Sequence, residues 1–221
     1  MSYWWVNQNQ TFKQEIEGGY LWSPKLKANK ARNPFYEFMR IVKPGDVVFS
    51  FADTEIKALG IAVSTAYGFP KPEEFGVTGS NWSEYGWKVD VAYRLLANTI
   101  KPSAFINELR PYLPNRYSPL QDSGRGNQGV YLTSLTDELA ELLLVRIGVE
   151  GERYKNIERQ LRDPIAEFLD IEVDGIAKLE ERLISTFSAD LSDTQRESIV
   201  LARRGQGIFR KNVAALERRC R

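Results

Sequence analysis

Two tryptophans lie in polar, glycine-containing segments, where a large aromatic ring can stack on a flat ligand. Trp22 follows Gly18-Gly19-Tyr20-Leu21, and Trp82 follows Gly79-Ser80-Asn81. Four bases come soon after Trp22, at Lys25, Lys27, Lys30 and Arg32. Rings beside cations suit a nucleobase taken out of its helix, because the rings replace the lost base stack and the cations hold phosphates. The alternative, which composition alone favours, is that both rings anchor loops to the core and the bases form a solvated surface.

A glycine-rich segment, Gly124–Tyr131, is a second candidate for ligand contacts. Its glycines match a bare dinucleotide-binding spacing, but no βαβ context surrounds them and the Lys-Ser/Thr ending of an NTPase loop is absent. Asn127 and Gln128 carry amides, which pair with base edges. We interpret the segment as a loop that places these amides and Tyr131 near a base.

The composition excludes many kinds of catalytic chemistry. The 221 residues contain no histidine and one cysteine. A Ser–His pair, a Cys–His pair, an internal disulfide and a cysteine-rich zinc site are therefore all excluded. Net charge is +1, but bases are concentrated at 24–43 and 203–221. No stretch approaches the about 20 apolar residues of a membrane span. We expect a soluble cytoplasmic protein with no membrane partner, no catalytic residue and no metal ligand in this chain.

The secondary-structure elements that must position these residues are predicted from the sequence pattern, which changes from mixed α/β to helical near Gly148–Glu152. Before that point, β-branched and aromatic runs predict strands at Tyr3–Val6, Asp46–Phe51, Ala58–Ser64 and Trp87–Leu95. Helices are predicted at Pro34–Val42, at Ser103–Leu113, and from a cap at Thr136 to a stop at Gly148. Of the adjacent Trp4 and Trp5, which point to opposite faces of a strand, one is expected in the core. Short strands with a few helices favour a small bent sheet or barrel, and helical patterns dominate after Glu152.

Five segments, in order along the chain, carry a family resemblance. They are Tyr3–Asn7, Gly18–Lys25 with its Gly-Gly-x-Leu-Trp pattern, Val42–Phe49, Ile56–Ala62 and Gly86–Val91. Together they resemble the EVE domain, a member of the PUA-like superfamily that also contains YTH readers, over roughly residues 1–148. The resemblance implies an α+β fold: a PUA-like small bent β-barrel with peripheral helices, followed by an all-α linker arm.

The resemblance also implies a DNA-binding sensor that flips 5-methylcytosine or 5-hydroxymethylcytosine into an aromatic pocket. Carried over to this chain, the pocket comprises Trp22, Pro24, Trp82 and Tyr131. Base-edge or loop contacts fall to Asn7, Ser23, Asn127 and Gln128, and phosphate contacts to Lys25, Lys27, Lys30, Arg32 and Arg125. A 5-methyl group adds only on the order of 1 kcal/mol, so moderate discrimination is expected. The alternative is a reader of modified RNA without a nuclease partner.

The segment Ala202–Arg210 resembles the approach to the HNH nuclease domain of bacterial modification-dependent restriction endonucleases. This implies a recognition domain at 1–150, a helical linker at 151–202 and the start of a truncated HNH domain at 203–221. HNH chemistry needs a histidine and a divalent metal such as Mg²⁺, so we expect this chain to sense modified DNA, double- or single-stranded, without cutting and without a cofactor. The full-length protein from which this chain derives would be the HNH-type endonuclease. The apolar stripes of the arm must pack against another domain or form a homodimer.

Overall fold

The structure is a computed structural model that describes residues 1–27 and 29–155. The greater part of the predicted helical linker, from residue 156, lies outside the described residues. The same holds for the segment 203–221 that resembles the approach to a nuclease. The described residues therefore cover the predicted recognition domain, apart from residue 28, and the first residues of the predicted linker.

Within the described residues, seven strands form one mixed sheet in the order β2-β6-β4-β3-β1-β7, with β5 also paired to β6. The strands are β1 (Tyr3–Asn7), β2 (Tyr20–Pro24), β3 (Val47–Ala52), β4 (Glu55–Ala62), β5 (Tyr67–Pro70), β6 (Tyr85–Ile100) and β7 (Leu132–Leu135). Strands β1 and β3 are parallel, and the other pairs are antiparallel.

Strand β6 gives the sheet its curvature. It is 16 residues long; its first part pairs with β2 and β5, and its second part pairs with β4. The register with β4 shifts between Ile56 and Ala58, and such bulges bend a strand and increase its twist. The sheet is therefore curled into a half-barrel. The expected α+β class, with a bent sheet and peripheral helices, is confirmed.

Short helices surround the sheet: α1 (Phe12–Gly18), α2 (Pro34–Glu37), α3 (Ile106–Leu109) and α4 (Asp137–Ile147). Single 3-10 turns cover Phe38–Ile41, Glu73–Phe75, Pro102–Phe105 and Arg110–Tyr112, and residues 149–155 are helical. The cap predicted at Thr136 is confirmed, because its hydroxyl accepts a hydrogen bond from Leu139 N at 3.3 Å. The helix predicted at Ser103–Leu113 is three short turns, because the backbone of Phe105 leaves the helical region (φ −136°) and Pro111 lacks the N–H that a continuous helix needs.

The sheet is covered on both faces, so Trp4 and Trp5 are both buried, whereas one core tryptophan was expected. Trp5 packs with Phe49, Phe51 and the apolar side of α4. Trp4 packs on the other face with Val48 and with Met39, which lies in the 3-10 turn after α2. Alternate strand residues point to opposite faces, and here each face meets a separate core.

Asp46 joins the start of β1 to the turn before β3. Its buried carboxylate accepts hydrogen bonds from Ser2 N at 2.8 Å, Trp4 Nε1 at 3.0 Å and Lys43 N at 2.9 Å. Bonds to a charged acceptor are the stronger kind, and a donor left unpaired in the interior is destabilising. This one side chain therefore fixes the indole of Trp4 and the register in which β1 enters the sheet.

We predict that Asp46→Ala lowers the free energy of unfolding by about 3 kcal/mol, because it leaves the buried indole N–H of Trp4 and two partly buried backbone N–H groups without an acceptor. Urea denaturation of the two proteins measures the difference. Asp122→Ala is the matched control, since Asp122 is exposed and its replacement should change stability by less than about 0.5 kcal/mol. Equal effects of the two substitutions would contradict the role given to Asp46.

Candidate functional site

Trp22, predicted in a loop, lies in the middle of strand β2. Helix α1 ends at Gly19, whose φ of 66° is left-handed and turns the chain directly into this strand. In the pairing with β6, Trp22 lies opposite Lys88, and Ser23 lies opposite Trp87. Neighbouring strand residues point to opposite faces. Trp22, predicted in the base pocket, and Ser23, predicted to make a base-edge or loop contact, are therefore directed to different sides of the ribbon that β2 and β6 form.

The ribbon formed by the paired strands β2 and β6 has two faces. The aromatic face comprises Tyr20, Trp22, Phe69, Phe75, Trp82 and Lys88. The Trp87 face comprises Ser23, Lys25, Arg40, Tyr85 and Trp87. Pro24 is two residues from Trp22 and is directed to the same side, so the structure places three predicted pocket residues, Trp22, Pro24 and Trp82, on the aromatic face.

On the aromatic face, the indoles of Trp22 and Trp82 lie nearly parallel. Their ring centroids are 6.2 Å apart with an interplanar angle of 27°, and Phe75 packs edge-on against both at 5.7 and 6.1 Å. The Trp22 indole N–H donates to Phe69 O at 3.3 Å. A side chain at Gly86 would collide with this indole, so glycine at that position allows Trp22 to lie across β6. Trp22 is thus held firmly by its surroundings.

The two indoles are too close together to admit a third ring between them. A base stacked on both sides needs about 7 Å between the flanking planes, twice the usual stacking distance, whereas these centroids lie 6.2 Å apart. Trp22 is only 1% exposed. Trp82 is half-buried and belongs to the loop between β5 and β6, whose Gly76 and Gly79 have positive φ. Any flat ligand that reaches Trp22 must therefore displace Trp82.

Two half-buried lysines lie on opposite faces of the ribbon. Lys25 Nζ is 4.0 Å from the Trp87 ring centroid and 4.7 Å from that of Tyr85. Lys88 Nζ is 4.3 Å from the Phe69 centroid and 4.6 Å from that of Tyr20. The other predicted phosphate contacts, which are all exposed, lie elsewhere: Lys27, Lys30 and Arg32 after β2, and Arg125 in the glycine-rich loop. Lys25 is therefore directed away from Trp22, and Lys88 is the lysine on its face.

The Trp87 face contains two buried polar atoms without a partner among the described residues. They are Ser23 Oγ, in a residue 1% exposed, and Trp87 Nε1. Trp87 is half-buried in β6, with Lys25 and Arg40 over its ring. An unmet hydrogen bond in the interior is unfavourable by about 1–3 kcal/mol. These two atoms are thus available to a polar group that reaches this face.

The glycine-rich loop is tied to β1 by side-chain amides. Asn7 Nδ2 donates to Val130 O at 2.9 Å, and Asn7 Oδ1 accepts from Trp5 Nε1 at 2.8 Å. Asn127 Nδ2 donates to Ser118 O at 2.9 Å and to Leu120 O at 3.0 Å. Asn7 and Asn127, predicted to make base-edge or loop contacts, therefore make loop contacts in this structure. Gln128 is exposed.

Tyr131, the fourth predicted pocket residue, is joined to β2 through its hydroxyl group. The hydroxyl accepts a hydrogen bond from Trp22 N at 2.9 Å and donates to Glu15 Oε2 at 3.0 Å. Its ring packs with the core that contains Trp4 and Leu21, on the opposite side from the Trp22–Trp82 pair. In this structure Tyr131 therefore supports the backbone of Trp22, while Phe75 and Trp82 flank the Trp22 indole.

Glu15 is the centre of a buried polar cluster, called here the carboxyl network, that sequence reasoning missed. Its carboxyl group is fully buried and contacts Gln8 Nε2, Thr11 Oγ1 at 2.8 Å and the Tyr131 hydroxyl. The network also includes Ser50, which donates to Gln8, and Tyr93. The Thr11–Glu15 spacing of four residues is compatible with a contact along a helix, but nothing in a charged seven-residue helix predicts burial.

Burial raises the pKa of Glu15 to about 8, although hydrogen bonds from Gln8, Thr11 and Tyr131 act in the opposite direction. Burial also raises the pKa of Tyr93 and of Tyr131, and the Glu15 charge adds to both shifts. The folded protein therefore holds a proton that the unfolded chain, with a Glu pKa near 4.5, releases. The contribution of Glu15 to stability is highest below about pH 4.5 and is lost as the pH rises toward 8.

We predict that Glu15→Gln removes this pH dependence, because a glutamine amide resembles the protonated acid and can keep the contacts with Gln8, Thr11 and Tyr131. At pH 8 the variant should be more stable than the wild type by on the order of 2 kcal/mol, with little difference at pH 5. Thermal melts between these pH values measure it. The control is Glu17→Gln, at an exposed position. Parallel pH profiles for Glu15→Gln and the wild type would contradict the prediction.

Within residues 1–27 and 29–155, no group of three or more acidic, cysteine or histidine side chains is placed to hold a metal ion. No helix in that part of the chain has the length and apolar character needed to cross a membrane.

Comparisons with known proteins reveal similar structures but no sequence family. No protein-family model and no curated protein matches the chain. A protein of Pseudomonas putida aligns over 66% of this chain and 99% of its own, with 13% identity and a TM-score of 0.45. Human THYN1, in complex with 5-methylcytosine-containing DNA, aligns over 67% and 98%, with 17% identity and a TM-score of 0.42. The Pho92 YTH domain, in complex with m6A, aligns over 66% and 82%, with 10% identity and a TM-score of 0.38. Similarity of this degree assigns neither a family nor residue roles.

Proposed function

We propose that residues 1–150 recognise a modified cytosine, 5-methylcytosine or 5-hydroxymethylcytosine, in DNA by stacking the flipped base on Trp22. The observation that carries the proposal is the pair of nearly parallel indoles, Trp22 and Trp82, of which one is fixed in a strand and the other is carried by a loop. A cation lies on each face of the same ribbon. Aromatic stacking with adjacent cations is the general means of holding an unpaired base.

The closed indole pair is compatible with this function on energetic grounds. An aromatic pair contributes about 0.5–1.5 kcal/mol beyond its buried area, and a base stacked on an aromatic side chain contributes about 1–3 kcal/mol. Replacing the Trp82 contact by a base contact is therefore nearly balanced. Phosphate contacts from the lysines must then offset the few kcal/mol needed to flip a base.

Selectivity for the modified base should be moderate. A 5-methyl group buried against an indole contributes on the order of 1 kcal/mol, or about fivefold in affinity. On this proposal, stacking and phosphate contacts provide most of the affinity for DNA, and the modification raises that affinity by a smaller factor.

The sensor would direct an HNH nuclease to modified DNA. This part of the proposal is supported by the resemblance of Ala202–Arg210 to the approach to such a nuclease. In the proposed parent protein, an HNH domain would hold the divalent metal and cut, while residues 1–150 would bind. DNA cleavage by this chain alone with Mg²⁺ would refute the division of roles.

We expect Trp82→Ala to abolish discrimination between a 5-methylcytosine duplex and an unmodified duplex, because on this proposal the displaced Trp82 indole closes over the outer face of the flipped base, and alanine removes that second stacking surface. Lys25→Ala should weaken binding to both duplexes by a similar factor, about three- to tenfold. Fluorescence anisotropy titration of the wild type and of each variant with both duplexes measures these affinities. Trp82→Phe is the matched control, since it keeps an aromatic ring. Equal affinity of the wild type for both duplexes would refute the modification claim, and an exchange of the two mutant phenotypes would reverse the assigned roles.

A reader of modified RNA is the second candidate, because stacking on an indole does not by itself distinguish DNA from RNA. Competition between DNA and RNA oligonucleotides of the same sequence, each with and without the 5-methyl group, separates the two. We expect methylated DNA to compete more strongly. Stronger competition by the methylated RNA would favour the second candidate.

A further inference from the structure

Lys88 lies beside the stacking surface and was not selected by sequence reasoning. It is the residue of β6 directly opposite Trp22 in the antiparallel register. Directly opposed side chains on one face have Cβ atoms about 5 Å apart. Lys88 and Trp22 therefore share the aromatic face as immediate neighbours, and any group attached to a base stacked on Trp22 lies within reach of the Lys88 side chain.

The Lys88 ammonium group is held in place by aromatic rings. Nζ lies 4.3 Å from the ring centroid of Phe69 and 4.6 Å from that of Tyr20, and the residue is half-buried. A cation over aromatic faces is attracted by the ring quadrupole. Because these contacts restrict the long side chain before a ligand arrives, less conformational entropy is lost on binding than for a freely moving surface lysine.

No carboxylate among the described residues forms an ion pair with Lys88. The nearby acids have other partners: Glu74 accepts from the Tyr20 hydroxyl at 2.7 Å, Asp90 accepts from the Tyr67 hydroxyl at 2.9 Å, and Glu84 pairs with Lys71 at 3.8 Å. Lys57 provides the contrast, since it too lies over an aromatic ring, that of Phe12, but is paired with Asp53 at 2.6 Å. The positive charge of Lys88 is therefore available to an external anion.

We propose that Lys88 binds the DNA phosphate adjacent to the base stacked on Trp22. The inference rests on the proposed function and adds to it Lys88 as the charged contact on the aromatic face. A phosphate fits better than a neutral base edge, because the ammonium group is a partly desolvated full charge without a counter-ion. Lys25 is directed to the opposite face of the ribbon, so the two lysines bind different phosphates of the strand.

The test uses Lys88→Met, which keeps an unbranched stem over Phe69 and Tyr20 but removes the charge. Affinity for methylated and unmodified duplexes should fall by the same factor, about three- to tenfold, and the slope of log affinity against log salt should decrease by about one. Lys88→Arg should retain near wild-type values. Lys57→Met is the matched control and should change neither quantity, because Lys57 is already ion-paired.

A change in the DNA identifies which phosphate is bound. Single neutral methylphosphonates are placed in turn at each linkage near the methylated cytosine, and each duplex is titrated with wild type and with Lys88→Met. The wild type should lose affinity at the linkage next to the flipped base. Lys88→Met should show no further loss at that linkage, while its sensitivity at other linkages remains.

The outcomes separate the two proposals. If the wild type binds neither duplex, the proposed function fails and the Lys88 assignment fails with it. If the wild type binds and Lys88→Met keeps both its salt slope and its methylphosphonate profile, only the Lys88 assignment is overturned. Unchanged melting temperatures of the variants ensure that altered affinity reflects the lost charge.

Discussion

The fully buried carboxyl group of Glu15 is the interaction on which the arrangement of the sheet depends. Directly or through one intermediate, it connects Gln8 after β1, Ser50 in β3 and Tyr131 before β7 to the backbone of Trp22 in β2. Because a buried polar group is stable only when its partners are present, these elements must be positioned together. The carboxyl network therefore fixes the strand that carries Trp22.

This arrangement divides the candidate site into a rigid part and a movable part. Trp22 is fixed by its strand, by the Tyr131 hydroxyl at its backbone nitrogen and by the Phe69 carbonyl at its indole. Trp82 is held mainly by ring contacts with Trp22 and Phe75, on a loop with two glycines at positive φ. A site of this kind can present one preorganised surface while the other adapts to the ligand. On the proposed function, the Trp22 surface would determine where a base stacks, and Trp82 would determine access to it.

Sequence patterns predicted the elements whose formation is local. The β-branched and aromatic runs at β1, β3, β4 and β6 and the cap at Thr136 were all recognised. Strand β2 was missed, because its five residues lie between two glycines and a basic turn and show no alternation. Glu15 was missed because its burial is decided by distant residues such as Tyr131. Lys88 was missed because only the pairing register of β2 and β6 places it opposite Trp22. A single sequence does not reveal the register between two strands.

Strand β2 is also the last strand on its side of the sheet, and exposed strand edges invite the addition of strands from other molecules. Here the outward N–H of Trp22 is already bonded to the Tyr131 hydroxyl. The next outward position is Pro24, which has no N–H to offer. At these two outward positions, β2 therefore offers no free N–H to a foreign strand.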